Sequence, residues 1–416
     1  FDMNPHSSQN NALALYERAM DLFKAGHYAK AHQVVREYRR RVNYDRFDSI
    51  DNRWDEPALA TVIVITRDRE KQLVDCLASL KNQEESRFEI ILVNNGGKHS
   101  LKDELVNQKI MLVECPHVFT PAEGRNVGAF FARSDLLIFL DDDGLAKQGF
   151  IRAAIRAFEV SPFIGIRGRI VPRSAEANHS LAGVYDLGEF PLPALLDVEG
   201  NMAVPRQFYR AVGGMNPLLF GSEGLDFTAR LLESQPGGGV YYWPMMTIRH
   251  DYASGDALVA KRKRQALSNE YFRVMHPNAL KLKARYNSLY RLCRSGEKGA
   301  FLKKLPTRLR TFGKEMELTL SGEKSLHSPE NPLAGTKSIS RVPASAVTWH
   351  LPEMETYALL QRLHALEMEM EETHKSVTFR LAHMIREFKQ APLRQGPLLP
   401  VRFWRLLKEY MSRSNS

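Results

Sequence analysis

The sequence predicts an α/β fold in which a mostly parallel sheet is covered by helices, with helical extensions at both ends of the chain. Short apolar runs alternate with helix-periodic segments from about residue 58 onward, and these runs end in polar residues. At 416 residues, 44% of them hydrophobic, the chain is long enough to bury one large core or two domains.

Residues 1–57 are predicted to form a helical hairpin. Apolar residues recur at helical spacing on both sides of Ala25-Gly26-His27, so the two helices should pair. The segment 22–31 resembles one tetratricopeptide repeat, and a single repeat cannot bury its own apolar face. We therefore expect the hairpin to dock on the following domain or to continue an array lost upstream, since a chain that opens on Phe1 suggests a processed segment.

Strands and helices alternate in the predicted central domain, residues 58–255. Strands over 61–65 and 88–93, joined by a helix over 70–83, make a βαβ unit. A strand over 110–114, a helix over 123–133 and a strand over 136–140 continue the pattern. The strands should be parallel, so their carboxyl ends should lie at one edge of the sheet.

Three aspartates, Asp141, Asp142 and Asp143, directly follow the strand over 136–140. That apolar run is too short for a buried helix and is typical of an interior strand. Alternate residues of an extended chain share a face, so Asp141 and Asp143 can converge on one hard divalent ion such as Mg²⁺ or Mn²⁺. A solvated acidic turn is the alternative interpretation.

Positive charge is concentrated beyond this domain. The chain has a net charge of +10, and we count 16 Lys/Arg against 3 Asp/Glu between residues 256 and 314. We predict a basic helical region over 256–320, a flexible linker over 321–348 and an amphipathic helical tail over 349–416. Aromatic residues among the cations favour an anionic membrane surface or a plain solvated helix face over nucleic acid. They are Tyr271, Phe272, Tyr286 and Tyr290.

The tail combines two patterns. Leu359, Leu363, Leu366 and Met370 have the spacing of a short coiled-coil seam, which predicts a homodimer through the C-terminal helices. The segment 397–410 combines Trp and Phe with Arg and Lys, which is typical of an interfacial membrane anchor. Packing of this segment against protein is an equally good interpretation. No run approaches a membrane span and no signal peptide opens the chain, so we expect a cytoplasmic protein, peripheral at the inner membrane face.

Several blocks resemble, in the same order, the family 2 nucleotide-sugar glycosyltransferases of bacterial polysaccharide synthesis, which have the GT-A fold. The matching blocks are 62–69, 88–96, 124–128, 140–143 with its DxD motif, Gly213-Gly214, 223–230 and His250. The resemblance covers about residues 58 to 252 and implies a Rossmann-like domain that uses a divalent metal to neutralise a nucleotide diphosphate.

The resemblance also implies roles for individual residues. Asp141 would face the ribose or the metal, and Asp143 would hold the metal, with His250 nearby. The remaining donor nucleotide-binding positions are Thr66, Asp68, Asn94, Arg125, Asn126 and Asp142. A Pro- and Gly-rich segment over 183–216 lies where the family binds the acceptor, which assigns Asn201 and Gly214 to acceptor binding.

Two positions depart from the family pattern. Asn94 stands where an Asp usually accepts the N3 proton of uracil; uridine stays the expected nucleoside, thymidine is next, and cytidine is less excluded than usual because the Asn amide can also donate. Gly224 stands where the catalytic Asp is usual. Glu223 is then our candidate base, and the alternatives are Asp226 or deprotonation of the acceptor by another group. Acidic residues here could also cap the following helix.

These expectations combine into one function. The chain should be an inverting, hexosyltransferase-type enzyme that moves a sugar from a UDP-sugar to a hydroxyl of a growing, lipid-linked surface polysaccharide. The alternative, motivated by Asn94 and Gly224, is a catalytically impaired scaffold that binds nucleotide-sugars.

Overall fold

The computed structural model describes residues 5–161, 163–173, 182–235 and 238–294, and within them one mixed sheet of ten strands organises the fold. The strands are β1 Asp48–Asp51, β2 Ala60–Thr66, β3 Phe88–Asn94, β4 Ile110–Glu114, β5 Leu136–Asp141, β6 Leu145–Ala146, β7 Phe163–Val171, β8 Leu192–Pro193, β9 Asn201–Pro205 and β10 Gly239–Arg249.

The helices cover this sheet and extend from it at both ends. They are α1 Pro5–Lys24, α2 Tyr28–Arg41, α3 Glu70–Lys81, α4 Lys102–Leu105, α5 Pro121–Phe131, α6 Phe150–Val160, α7 Ala182–Tyr185, α8 Arg206–Ala211, α9 Glu223–Ser234, α10 Gly255–Met275 and α11 Pro277–Arg294. A short 3₁₀ helix spans Tyr44–Arg46.

The strand order is β1-β4-β3-β2-β5-β9-β7-β10-β6, with β8 paired to β10. Strands β4, β3, β2 and β5 run parallel, which brings their carboxyl ends to one edge. Strand β9 is antiparallel to both β5 and β7, and β10 returns parallel to β7. The mixed, mostly parallel and helix-covered sheet confirms the predicted GT-A-like α/β class.

The parallel half of the sheet follows the sequence pattern closely. Nearly every residue of β2, β3 and β5 is buried, as expected for strands covered on both faces. Helix α5 begins at Pro121, two residues before the expected start, because the Thr120 hydroxyl accepts a hydrogen bond from the Glu123 amide and caps the helix. The same helix lies close to β2, since a Cβ added at Gly128 would stand 2.4 Å from Ile63.

Helices α1 and α2 form the expected hairpin, and they pack on the central sheet domain. The hydroxyls of Tyr38 and Tyr44 donate to Glu123 of α5, and Tyr16 accepts from the Thr120 amide. Arg39 donates to the Met215 carbonyl. These buried polar contacts and the shared apolar core join the hairpin to the helix that carries Arg125.

Helices α10 and α11 account for the described part of the basic region. The aromatic rings that the sequence places among the cations are buried here, so they belong to the protein core and present no stacking surface. They are Tyr271, Phe272, Tyr286 and Tyr290. The rest of the basic region, the linker 321–348, the tail 349–416 and its homodimer seam lie outside the described residues, and the domain boundaries remain predictions.

Across the described ranges, each helix is too short or too polar to cross a membrane.

Candidate active site

A cleft of about 810 Å³ opens at the carboxyl ends of β2 and β5. Residues that follow these strands, the first turns of α5 and α9, and one side of α10 form its wall. Its charged lining residues are Arg67, Asp68, Arg69, Arg125, Asp141, Asp142, Asp143, Glu199, Glu223, His250, Asp251, Lys261 and Arg264. Ligands of open α/β sheets bind at this edge, so the cleft is the candidate functional site.

Asp141, Asp143 and His250 form a candidate metal site on the cleft wall. One ligand atom from each lies within 4.8 Å of the others, and Asp143 Oδ1 is 2.9 Å from His250 Nε2. The first two residues end or follow β5, and His250 follows β10. Asp143 Oδ1 is buried, and among the residues that the structure describes none donates a well-aligned hydrogen bond to it, so a lone pair is left for another partner. Two carboxylates and one imidazole fit a divalent ion such as Mn²⁺ or Mg²⁺.

Asp142 turns away from this cluster. Its carboxylate accepts hydrogen bonds from Thr66 Oγ1 at 2.8 Å and from Arg69 Nη1 at 3.0 Å, and Arg69 also donates to Asp143. Burial raises the pKa of Asp142 to about 6 and outweighs the hydrogen bond from Thr66 and the charge of Arg69, which lower it, while the neighbouring aspartates add a smaller rise. Although burial would also raise the pKa of Asp143, its contacts with His250 and Arg69 lower it to about 2. The Asp triplet therefore divides into a supporting carboxylate and two that face the candidate metal site.

The side chain of Arg125 is buried between two acidic groups. Its Nη2 donates to Asp141 Oδ1 at 2.7 Å, and its Nη1 lies 3.4 Å from Glu223 Oε1. Burial would lower the pKa of Arg125, but these carboxylates and Glu199 raise it above its ordinary value. A permanent positive charge thus lies in the cleft beside Asp141, where it can meet an anionic group of a ligand.

The two carboxylates proposed as bases lie in different surroundings. Glu223 opens α9 and lines the cleft, with Oε1 near Arg125 and Oε2 accepting from the Gly221 amide at 2.6 Å. Asp226 is 1% exposed and pairs with Arg230 at 2.8 Å and with His276 at 3.3 Å. Asp226 is not part of the cleft lining, and these buried ion pairs favour a structural role.

Comparison with known proteins assigns a part of the chain that lines this cleft to a family. Residues 61–188 match the model of glycosyl transferase family 2. This segment is a family 2 glycosyltransferase domain. It includes the Asp triplet, Arg125 and the strands β2 to β5 that carry them.

Two curated relatives agree with this assignment. An uncharacterized glycosyltransferase of Haemophilus influenzae is 23% identical over 193 residues, 42% of this chain and 62% of the relative. The uncharacterized glycosyltransferase YfnE of Bacillus subtilis is 32% identical over 108 residues, 24% of this chain and 27% of the relative. The chain thus spans less than two thirds of the length of either. A crystal structure of S. aureus TarS is similar at a TM-score of 0.38 and 14% identity, covering 63% of this chain and 88% of that one.

The glycosyltransferase domain does not bring Asn94 into the cleft. Its Nδ2 donates to the His99 carbonyl at 2.9 Å and to Glu114 Oε2 at 2.7 Å, while its Oδ1 accepts from the Gly97 amide. Asn94 is 2% exposed, and its hydrogen-bonding groups are used by the loop after β3 and by the last residue of β4. The amide side chain is needed here because a carboxylate could not donate to Glu114.

Asn126 is likewise engaged away from the cleft. Its side chain donates to Glu123 and to the Met215 carbonyl and accepts from the Tyr209 hydroxyl. Since α5 begins at Pro121, the amides of residues 125 and 126 lie inside the helix and bond within it, so they cannot contact a phosphate as an open helix terminus would.

The two acceptor candidates lie outside the cleft lining. Asn201 is fully buried and donates to the carbonyl of Arg169. Gly214 has a φ of +71° and a carbonyl that accepts from Arg230, so it serves a turn that only glycine adopts easily. By contrast, Thr66 and Asp68 line the cleft, with Asp68 accepting from the Lys98 amide at 2.7 Å.

Several cleft residues had no signal of their own in the sequence. Arg69 lies in a block that resembles the family, yet nothing marked it as the partner of Asp142. Lys261 and Arg264 come from the basic helix α10, where charge density alone could not single them out. Glu199 lies in the segment 183–216, whose resemblance to an acceptor region does not distinguish it from its neighbours. Their common feature is that long-range packing brings them to the cleft.

Proposed function

We propose that this protein is an inverting, divalent-metal-dependent glycosyltransferase that moves a sugar from a nucleotide diphosphate, UDP foremost, to a hydroxyl of a growing surface polysaccharide. The observation that carries the proposal is the convergence of Asp141, Asp143 and His250 beside Arg125 in one cleft of a family 2 domain. Membership of this family supports a nucleotide-sugar donor; the choice of UDP rests on the sequence resemblance.

The residues of the cleft suit a diphosphate donor. Asp141, Asp143 and His250 would hold Mn²⁺ or Mg²⁺, and the bound ion would neutralise the diphosphate and improve it as a leaving group. Arg125 and Arg69 add fixed positive charge on either side of the Asp triplet. Thr66 and Asp68, at the end of β2, lie where a nucleoside could be gripped. A carboxylate that lines the cleft would take the proton of the acceptor hydroxyl.

A calorimetric titration tests the donor site. The protein is titrated with UDP, TDP, CDP and GDP, each with and without Mn²⁺, and Mn²⁺ binding alone is followed by electron paramagnetic resonance. We expect metal-dependent binding of UDP that weakens by more than about tenfold in Asp143→Ala, since a ligand of the ion is lost. Asp135→Ala is the matched control, because Asp135 is fully exposed at the other end of β5.

Each outcome of this titration is decisive. Preference for TDP or CDP would show that the donor carries thymidine or cytidine instead of uridine, and the proposed donor site would stand. Binding of none of the four nucleotides would refute the proposal. An equal loss of UDP affinity in Asp135→Ala would show that the loss in Asp143→Ala is not specific to the candidate metal site.

The proposed acceptor is carried on lipid at the inner membrane face. Lys261 and Arg264 of α10 support an anionic acceptor or surface, because they bring positive charge to the cleft rim. Sedimentation with anionic and neutral vesicles tests this part. Deletion of residues 389–416 should abolish pelleting with anionic vesicles, and unchanged pelleting would contradict membrane association through the tail.

A further inference from the structure

The position of Gly224 shows why the usual catalytic Asp is absent. A Cβ added at Gly224 would stand 1.8 Å from the Leu196 carbonyl oxygen and 2.8 Å from Glu199 Oε1. Real side chains do not approach backbone that closely, so only glycine fits without moving the chain before β9. The segment 196–199 therefore fills the space into which a side chain at position 224 would extend.

The group that stands there is itself a carboxylate. Glu199 Oε1 accepts a hydrogen bond from the Gly224 amide at 2.8 Å, in the first turn of α9. Glu199 lines the same cleft as Glu223 and Asp141. Within the described part of the chain, no side chain donates a hydrogen bond to the Glu199 carboxylate, which lines the cleft and can therefore reach a ligand there.

Glu223 differs in this respect. Its two oxygens are occupied by Arg125 and by the Gly221 amide, and its side chain is 7% exposed. Because Arg125 also holds Asp141, Glu223 fixes the orientation of that guanidinium. The contacts make Glu223 a positioning residue for the donor half of the cleft.

The surroundings of Glu199 suit proton transfer. Burial raises its pKa to about 8, and the nearby charge of Glu223 adds to the rise, while Arg125 and the Gly224 amide act against it. A general base works best when its pKa lies near the working pH, because it then accepts a proton readily and is still partly ionised. The raised pKa of Glu199 thus agrees with its position in the cleft, where it could accept a proton.

We infer that Glu199 is the general base of the sugar transfer, supplying from the chain before β9 the carboxylate that position 224 cannot carry. The inference rests on the proposed function. The carboxylate of Glu199 accepts the proton of the acceptor hydroxyl. As the proton leaves, the hydroxyl oxygen forms a bond to the anomeric carbon of the donor sugar. The bond from this carbon to the diphosphate oxygen breaks, its electron pair leaves with the nucleoside diphosphate, and Glu199 later returns the proton to solvent.

The test separates binding from turnover in the full chain. Glu199→Gln keeps an oxygen that can accept from the Gly224 amide but removes the basic carboxylate. UDP release is measured from UDP-glucose, UDP-galactose and UDP-N-acetylglucosamine with Mn²⁺ and water as the acceptor, beside calorimetric UDP binding. Glu223→Gln is the comparison, and Glu270→Gln, 61% exposed on α10, is the control.

We expect Glu199→Gln to lower kcat by at least about a hundredfold while UDP affinity changes by less than about threefold. Glu223→Gln should instead weaken UDP binding, because Arg125 loses one of its two charged partners and its guanidinium is held less firmly. Residual turnover above a tenth of wild type in Glu199→Gln would overturn the inference. Wild-type protein that binds UDP but releases none from any donor would also overturn it while leaving the donor site intact, whereas absence of UDP binding would defeat the proposed function.

Discussion

The buried carboxylate of Glu123 gives a quantitative test of how the N-terminal hairpin is held. Its Oε1 accepts from the hydroxyls of Tyr38 at 2.5 Å and Tyr44 at 2.6 Å, and its Oε2 accepts from Asn126 at 2.8 Å. Glu123 is fully buried, and no basic side chain forms an ion pair with it among the described residues. Its charge is thus stabilised by hydrogen bonds, two of which come from the hairpin segment.

Replacing Tyr38 with Phe removes one of these donors and leaves the ring in place. Burial, and next the charge of Glu123, hold the pKa of Tyr38 well above its ordinary value, so the hydroxyl is a permanent donor. Hydrogen bonds to charged groups contribute about 1.5–3 kcal/mol each, so we expect a loss of about 2 kcal/mol in the free energy of unfolding. For a domain of this size the loss corresponds to a Tm lower by about 4–8 °C.

Urea and thermal unfolding followed by circular dichroism measure this effect. Tyr28→Phe is the matched control, since Tyr28 lies on the same helix and its ring contacts Phe23 and Tyr271. The double variant Tyr38→Phe, Tyr44→Phe should deviate from additivity by more than about 0.5 kcal/mol, because both hydroxyls share Oε1. A loss for Tyr38→Phe no larger than that of Tyr28→Phe would refute the reasoning.

Two further predictions concern single side chains. Asn94→Asp restores the residue usual in the family, but it places a second carboxylate 2.7 Å from that of Glu114. We therefore expect the free energy of unfolding to fall by about 3 kcal/mol, with no gain in UDP affinity. Tighter UDP binding would contradict the placement of Asn94 outside the cleft. Burial would lower the pKa of His276, but Asp226 and Glu233 raise it to about 9, above the unfolded value. Its stabilisation is therefore complete below about pH 6.5 and is lost as the pH rises to about 9, so the stability difference between wild type and His276→Gln should shrink over that range in urea titrations. A difference independent of pH would show that His276 acts through packing alone.

The sequence by itself determined the parallel half of the sheet. Apolar runs of strand length, ending in polar residues and separated by amphipathic segments, specify buried parallel strands because each pattern is local. The positions of Asp141 and Asp143 at a strand end followed directly. The pairing of these carboxylates with His250 was suggested by family resemblance, and their approach depends on strands that are not neighbours in the sheet.

The structure alone decided which polar side chains face the cleft. Asn94 and Asn126 lie close in sequence to functional blocks, yet their side chains are hydrogen-bonded inside the fold, and Asn201 is fully buried with its amide nitrogen bonded to the Arg169 carbonyl. No local pattern reveals these placements. Conversely, Glu199 enters the site because the chain before β9 packs against the start of α9. Local patterns encode secondary structure, whereas the direction and partners of a buried polar group depend on atoms far away in the sequence.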